Sequence, residues 1–235
     1  MNYTELKLTL TFVIVIITNI SFSQNKKTIV DSLSELTYSA HFADLDGNVT
    51  YENIIFKSLG IIWEWDKSQT KCELIYTPTD SIINQLHNPL SKRGQEKNIQ
   101  ISIKSTTGYI DNDNSFWIHP FRENQYVYTE IAPFPSVYYN KLSVGSKWEE
   151  KLFILFGWGG FKGTVKKNYE VISQETYNYQ GETLEGCWLI QAQGKHNKLG
   201  TSTTTYLFHP KFGFLYIKYL IYNGIKMEFY LINKK

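Results

Sequence analysis

Short runs of alternating apolar and polar residues, separated by turn residues, recur along almost the whole chain. A period of two places successive side chains on opposite faces of a strand, so each run reads as a half-buried β-strand. Leu36 to Phe42 sets Tyr38, Ala40 and Phe42 against Thr37, Ser39 and His41; Asp44-Leu-Asp-Gly-Asn48 is a turn, and Val49 to Lys57 resumes the alternation. Ile61–Asp66 and Lys71–Tyr76 read as a hairpin about Lys67–Thr70. Pairing 66 with 71 puts Trp65 opposite Cys72, Trp63 opposite Leu74 on the core side, and Glu64 opposite Glu73. Like charges facing each other are unfavourable, so this register carries a conflict.

One helix interrupts the pattern, capped by Thr79 or Asp80, with Ile82, Ile83 and Leu86 on one face and Pro89 as its stop. A polar connector, Ser91–Lys97, leads to a strand over Asn98–Ser105. Further strands are expected at Gln125–Ile131, Trp148–Phe156, Thr164–Ser173, Thr183–Gln193, Thr201–Phe208, Phe214–Tyr222 and Ile225–Ile232. In Thr183–Gln193 the positions Leu184, Gly186, Trp188, Ile190 and Ala192 face the core, which turns Cys187 to the polar side. Asn223-Gly224 predicts a two-residue type I′ turn. Pairing 222 with 225 then gathers Tyr216, Leu220, Tyr222, Ile225, Met227, Phe229 and Leu231 on one face, with Lys218 as its only charge.

The expectation is an all-β fold, an antiparallel meander with one short helix, closing as a half-barrel, a barrel or a two-sheet sandwich. Six Trp, 17 Tyr and 14 Phe in 235 residues favour pleated, half-buried surfaces. No repeat or composition break divides residues 24–235, which read as a single β domain. Residues 1–23 read as a signal peptide: Lys7 gives a positive start, Leu8–Ile20 is apolar, and Ser21-Phe22-Ser23 has the small-x-small form of a cleavage site before Gln24. The apolar run falls short of the ~20 residues of a membrane span; a retained anchor is the other reading. The expected location is periplasmic or secreted, with membrane contact only during export. The net charge of +2 supplies no field for nucleic acid.

The stretch Ser115-Phe-Trp-Ile-His-Pro-Phe-Arg-Glu-Asn124 carries the most mixed chemistry. Pro120 pushes His119 toward extended geometry, so a strand should end there. Leu207-Phe-His-Pro-Lys-Phe-Gly213 has the same punctuation. Both read first as strand ends. A ligand-binding reading puts Trp117, His119 and Arg122 at the rim of the sheet, Arg122 gripping an anionic group by a forked contact and Trp117 offering an apolar surface. Trp158, with Phe156 and Phe161 in a glycine-rich bend, either closes over a ligand or plugs the core.

Nothing calls for a metal or a cofactor. The five histidines have no ligand spacing. The glycine-rich bend carries Lys162 where a dinucleotide loop needs glycine. Asp44–Asn48 and Asp111–Ser115 are turn clusters, not calcium loops. No G-x-S-x-G occurs. A hydrolase built on His119 or on Glu64 and Glu73 is the catalytic alternative. Cys72 and Cys187 read as separate thiols.

Tyr206-Leu-Phe-His-Pro-Lys-Phe-Gly-Phe-Leu-Tyr216, together with Ser115–Asn124 and Ile131-Ala-Pro-Phe-Pro135, resembles segments of uncharacterised exported bacterial β-proteins, some of the lipoprotein-carrier half-barrel type. The resemblance implies a curled antiparallel sheet with an apolar concave face. It brings no functional residue, and the chain lacks the cysteine of lipid-anchored relatives. The expected role is an exported binding or carrier protein for an apolar or amphiphilic small molecule; a structural or protein-interaction component of the envelope is the alternative, its protein partner unknown.

Overall fold

The structure is a computed structural model and describes residues 28–87, 101–158 and 161–235, with the side chains of 85–87, 155–158 and 161–162 left out. The expected signal peptide and the connector Ser91–Lys97 lie outside the described residues. Twelve strands form one antiparallel sheet: β1 Glu35–Ala43, β2 Val49–Trp63, β3 Asp66–Thr77, β4 Lys104–Asp111, β5 Ser115–Ile118, β6 Ser136–Tyr138, β7 Lys147–Trp158, β8 Phe161–Tyr179, β9 Glu182–His196, β10 Gly200–His209, β11 Gly213–Leu220 and β12 Lys226–Lys234. A short helix, α1 Asp80–His87, follows β3.

The strand order is β6-β5-β4-β3-β2-β1-β12-β11-β10-β9-β8-β7. Two meanders thus meet at the central β1–β12 pair, and the sheet curls into a half-barrel. The two edge strands, β6 and β7, are joined by the short connection 139–146. That link brings the edges close, and side chains rather than a backbone ladder cross the seam between them.

Alternation sets the core. Leu36, Tyr38, Ala40 and Phe42 of β1, Ile54 and Phe56 of β2, Cys72, Leu74 and Tyr76 of β3, and Tyr206 and Phe208 of β10 are buried on one face. Asp44 folds the first turn as read from sequence. Its carboxylate accepts from the backbone N–H groups of Asp46 and Asn48, and Gly47 takes φ +84°.

Five local expectations are corrected. The strand read at Asn98–Ser105 begins only at Lys104 and runs to Asp111, with 98–100 outside the described residues and 101–103 not in a strand. The β2–β3 turn is Glu64–Trp65, with Trp63 opposite Asp66, Ser58 opposite Cys72 and Lys57 opposite Glu73. Trp65 is therefore on the turn, and the two carboxylates separate: Glu64 pairs with Lys71 at 2.8 Å and Glu73 with Lys104 at 2.5 Å. The like-charge conflict is resolved by the shift. The last hairpin slips by one residue, so that Leu220 faces Lys226 and Ile217 faces Phe229. Its turn spans 222–224, closed by Gly224 N–H donating to the Ile221 carbonyl, with Gly224 at φ +92°. One residue of slip exchanges the faces of a strand. Here it buries Ile217, Tyr219 and Ile221 with Met227, Phe229 and Leu231, and turns Lys218 outward beside Glu228 at 3.7 Å.

In β9, Gly186 at φ +74° accompanies an irregularity in the β8–β9 register between Glu175 and Tyr177. The phase shifts there, and Cys187 is buried while Trp188 is only partly so. Both thiols are free. Finally, Gln125–Ile131 is not a strand but part of a 3-10 helix, Asn124–Ile131. It has no partner strand because it crosses the concave face instead of joining the sheet. Asn124, at φ +56°, makes the bend, and its side chain exchanges two hydrogen bonds with the Ser102 backbone.

Candidate functional site

The segment from His119 to Pro135 covers the hollow of the half-barrel. Phe121 packs on Tyr38 and Phe229, with ring centroids 5.1 and 4.9 Å apart. Tyr126 stacks on Tyr76 and meets Phe42 and Phe229 edgewise or tilted. A non-strand segment leaves backbone carbonyls unpaired, and buried ones need donors. Hydroxyls supply them, two from β10 and one from Thr129 of the segment itself. Thr204 Oγ1 donates to Pro133 O at 2.8 Å, Tyr206 OH to Ser136 O at 2.5 Å and Thr129 Oγ1 to Phe121 O at 2.8 Å. Gln125 Nε2 reaches the buried carboxylate of Glu52 at 2.7 Å. Burial pushes the Glu52 carboxyl up.

Where this cover meets the seam, charges gather. Arg122 Nη1 lies 3.0 Å from Glu130 Oε1 and 3.1 Å from His119 Nε2. The 3-10 turn delivers Glu130 to Arg122, eight residues on. Burial, then the nearby guanidinium, push the His119 pKa down to about 3, so the imidazole is neutral and takes the Arg122 N–H as an acceptor. Burial pushes the Glu130 carboxyl up, and Arg122 pulls it back. The Trp117 and Phe134 rings flank His119, at 5.7 and 5.4 Å.

Across the seam, Lys167 points inward from β8 and is almost fully buried. Its ammonium sits 3.6 Å from the centre of the Phe134 ring. Burial pushes its pKa down to about 8, against the pull of Glu150 and Glu130. Glu150 is directly opposite on β7. Its carboxylate accepts from Ser136 Oγ at 3.1 Å, Tyr138 OH at 3.3 Å and Tyr169 OH at 3.1 Å. These bonds tie β6 to β7 and β8. Above them opens a cleft of about 210 Å³ lined by Gln69, Ile110, Ser115, Trp117, Ser136, Tyr138 and Glu150.

The structure therefore brings together three of the residues singled out in the sequence. Trp117 lines the cleft, and His119 and Arg122 lie beside it, with the chain's own Glu130 on the fork of Arg122. Trp158 ends β7 opposite Phe161, and its side chain falls outside the described residues. Sequence reasoning missed Glu130, Glu150 and Lys167. The signal for Lys167 was present: it is the lone charge among the inward positions Val165, Lys167, Tyr169 and Val171. Among the described residues, no group of three or more His, Cys, Asp or Glu side chains is placed to hold a metal.

These features define a class: an antiparallel half-barrel whose hollow is covered by its own chain, with a polar seam at the mouth. No family model matches the chain, and no curated protein does. Among solved structures, it is similar to a Bacteroides fragilis protein described as exported, with a YmcC-like fold (10% identity over 88% of this chain and 97% of that one, TM-score 0.42). It is also similar to the hypothetical lipoprotein YmcC of Escherichia coli (11%, 86% and 84%, 0.39). A third is a Vibrio parahaemolyticus domain described as outer membrane lipoprotein-sorting (10%, 87% and 85%, 0.35). These are proteins of the kind that the segments quoted above resemble.

Proposed function

We propose that the protein is an exported binding module of the cell envelope, and that it takes an amphiphilic small molecule at the seam beside Trp117. The observation that carries the reading is the composition of the seam cleft. Trp117, Tyr138 and Ile110 offer apolar surface, while Gln69, Ser115, Ser136 and Glu150 offer hydrogen-bonding groups on the same walls. A concave site with apolar walls and a few convergent polar groups is the usual form of a small-molecule site. Export rests on the N-terminal segment, with its positive start, apolar run and small-x-small end.

A wholly apolar cargo fits this geometry less well. The greasy concave face is already packed against Phe121 and Tyr126, so such a cargo would have to displace the cover. Catalysis by the Glu64 and Glu73 pair has no support, since each carboxylate is ion-paired to a different lysine. Native mass spectrometry of protein purified from the exported fraction tests the reading. A small molecule retained by the wild-type chain and lost in Trp117→Ala is the expected result. A bare chain, or a stoichiometric protein partner in its place, would overturn it.

A further inference from the structure

The β2–β3 turn exposes what soluble proteins usually hide. Trp65 is 83% exposed, Ile62 68% and Ile61 54%, all within five residues of one hairpin. The segment 28–34 packs beside it: Ser58 N–H donates to Ser34 O at 2.9 Å, and a Cβ on Gly60 would fall 2.7 Å from Ser32 Cβ. On that segment Leu33 is 70% exposed, held at φ +72°, a conformation unfavourable for a branched apolar side chain. The other flank of the same segment borders a cleft of about 300 Å³, lined by Thr28, Asp31 and Ser34 together with Lys211, Lys234 and Lys235.

We infer that this end of the sheet docks on an anionic lipid bilayer. Trp65, Ile61, Ile62 and Leu33 enter the interfacial layer, and Lys211, Lys234 and Lys235 meet the headgroups. An amphipathic indole beside aliphatic side chains suits the membrane interface, and flanking lysines add attraction to anionic lipid. Of the acids at this end, Glu64 is paired with Lys71, Glu35 with Lys57 at 3.1 Å, Asp66 accepts from Ser68 and Gln69, and Asp111 accepts the Val30 N–H at 2.8 Å; Asp31 lies beside the lysines, and Asp113 and Glu182 sit on neighbouring turns.

A lipid surface fits better than a protein partner. The apolar groups sit on a two-residue turn and a bend, a convex tip, whereas a stable protein interface needs roughly 800 Å² of matched surface on each side.

Co-sedimentation of the exported protein with vesicles of phosphatidylcholine, alone or doped with phosphatidylglycerol, tests this. Binding is expected on the doped vesicles and should weaken with salt. Ile62→Ser with Trp65→Ser should lower the partition by about tenfold or more, as expected for apolar groups withdrawn from water. Lys211→Glu with Lys234→Glu should lower it too, by roughly fivefold per lysine, and flatten the salt dependence. An unchanged circular dichroism spectrum and urea midpoint show that each variant folds. Trp117→Ala should leave vesicle binding intact, which separates this surface from the seam. Absence of binding, or binding indifferent to the tip variant, overturns the proposal. So does a tip variant that keeps the vesicles but loses a crosslinked protein partner.

Discussion

The chain writes His-Pro twice after an apolar strand, and the two copies do opposite things. At His209, β10 ends and the ring Nδ1 accepts the Lys211 N–H at 3.1 Å; Phe212 N–H returns to the His209 carbonyl, and Gly213 at φ +79° starts β11 alongside. At His119 no glycine follows. Glu123 stays extended, Asn124 takes the left-handed turn, and the chain leaves the sheet to cross the hollow. The shared dipeptide ends a strand in both places. What comes three and four residues later decides whether the strand is followed by a hairpin or by a cover. The environments then diverge: one turn lies at the surface, the other is sealed among Arg122, Glu130 and Phe134.

Arg122→Ala should break the comparison most severely. It leaves Glu130 without its guanidinium in a mostly buried site, while the matching Lys211→Ala removes only a surface charge. The loss should be about 3 kcal/mol in urea unfolding, toward the low end for a buried pair because the guanidinium is partly exposed. Lys211→Ala should stay within about 0.5 kcal/mol. Adding Glu130→Gln to Arg122→Ala should recover part of the loss, giving a measurable coupling.

Gly213→Ala comes next, at about 1–2 kcal/mol. Its positive φ is strained for alanine, and the new Cβ would sit 3.1 Å from both Ile29 Cγ2 and the Phe116 ring. Glu123→Ala, at the equivalent place in the other turn, should cost much less, since its extended backbone suits any residue.

The contrast marks where the sequence is readable. The position and inward face of β1 follow from alternation, the position of β10 follows from its strand-forming run, and the end of β5 follows from Pro120. The last hairpin does not, because Asn223-Gly224 promises a two-residue turn while keeping Lys218 out of the core requires three. Gln125–Ile131 misleads for a different reason. Its Tyr, Val, Thr and Ile residues have strand propensity, but propensity cannot supply a neighbouring strand, and Pro133 and Pro135 follow at once. Trp117, His119 and Arg122 are visible as a group because they are local. Glu150 and Lys167 join them only through the β7–β8 register and the curl of the sheet, which no single segment encodes.

The pH response separates the two histidines by a smaller margin. Between pH 6.5 and about 3 the unfolded chain binds a proton on the His119 ring that the folded chain refuses. The unfolded state therefore holds more protons in that window, so this contribution to stability is complete above 6.5 and is lost as pH falls. From pH 6.5 to 5.5 the loss should reach about 1 kcal/mol, one unit of pH acting on less than one proton. Glu130 and Glu52, with carboxyl groups pushed up by burial, titrate with the opposite sign, so the difference between wild type and His119→Asn is the quantity to measure. A parallel pair of curves would remove the buried imidazole from the account of the seam.

The smallest effect belongs to the other copy. His209→Ala deletes the ring nitrogen that receives the Lys211 N–H, but water can replace that acceptor at the surface, so the expected loss is about 0.5 kcal/mol. The His209 pKa is also pushed down, first by burial and then by Lys211 and Lys234, against a backbone hydrogen bond with Glu185. Its acid response therefore has the same sign as that of His119. If His209→Ala cost as much as Arg122→Ala, the two turns would share one structural role, and the divergence argued from Gly213 and Asn124 would fail.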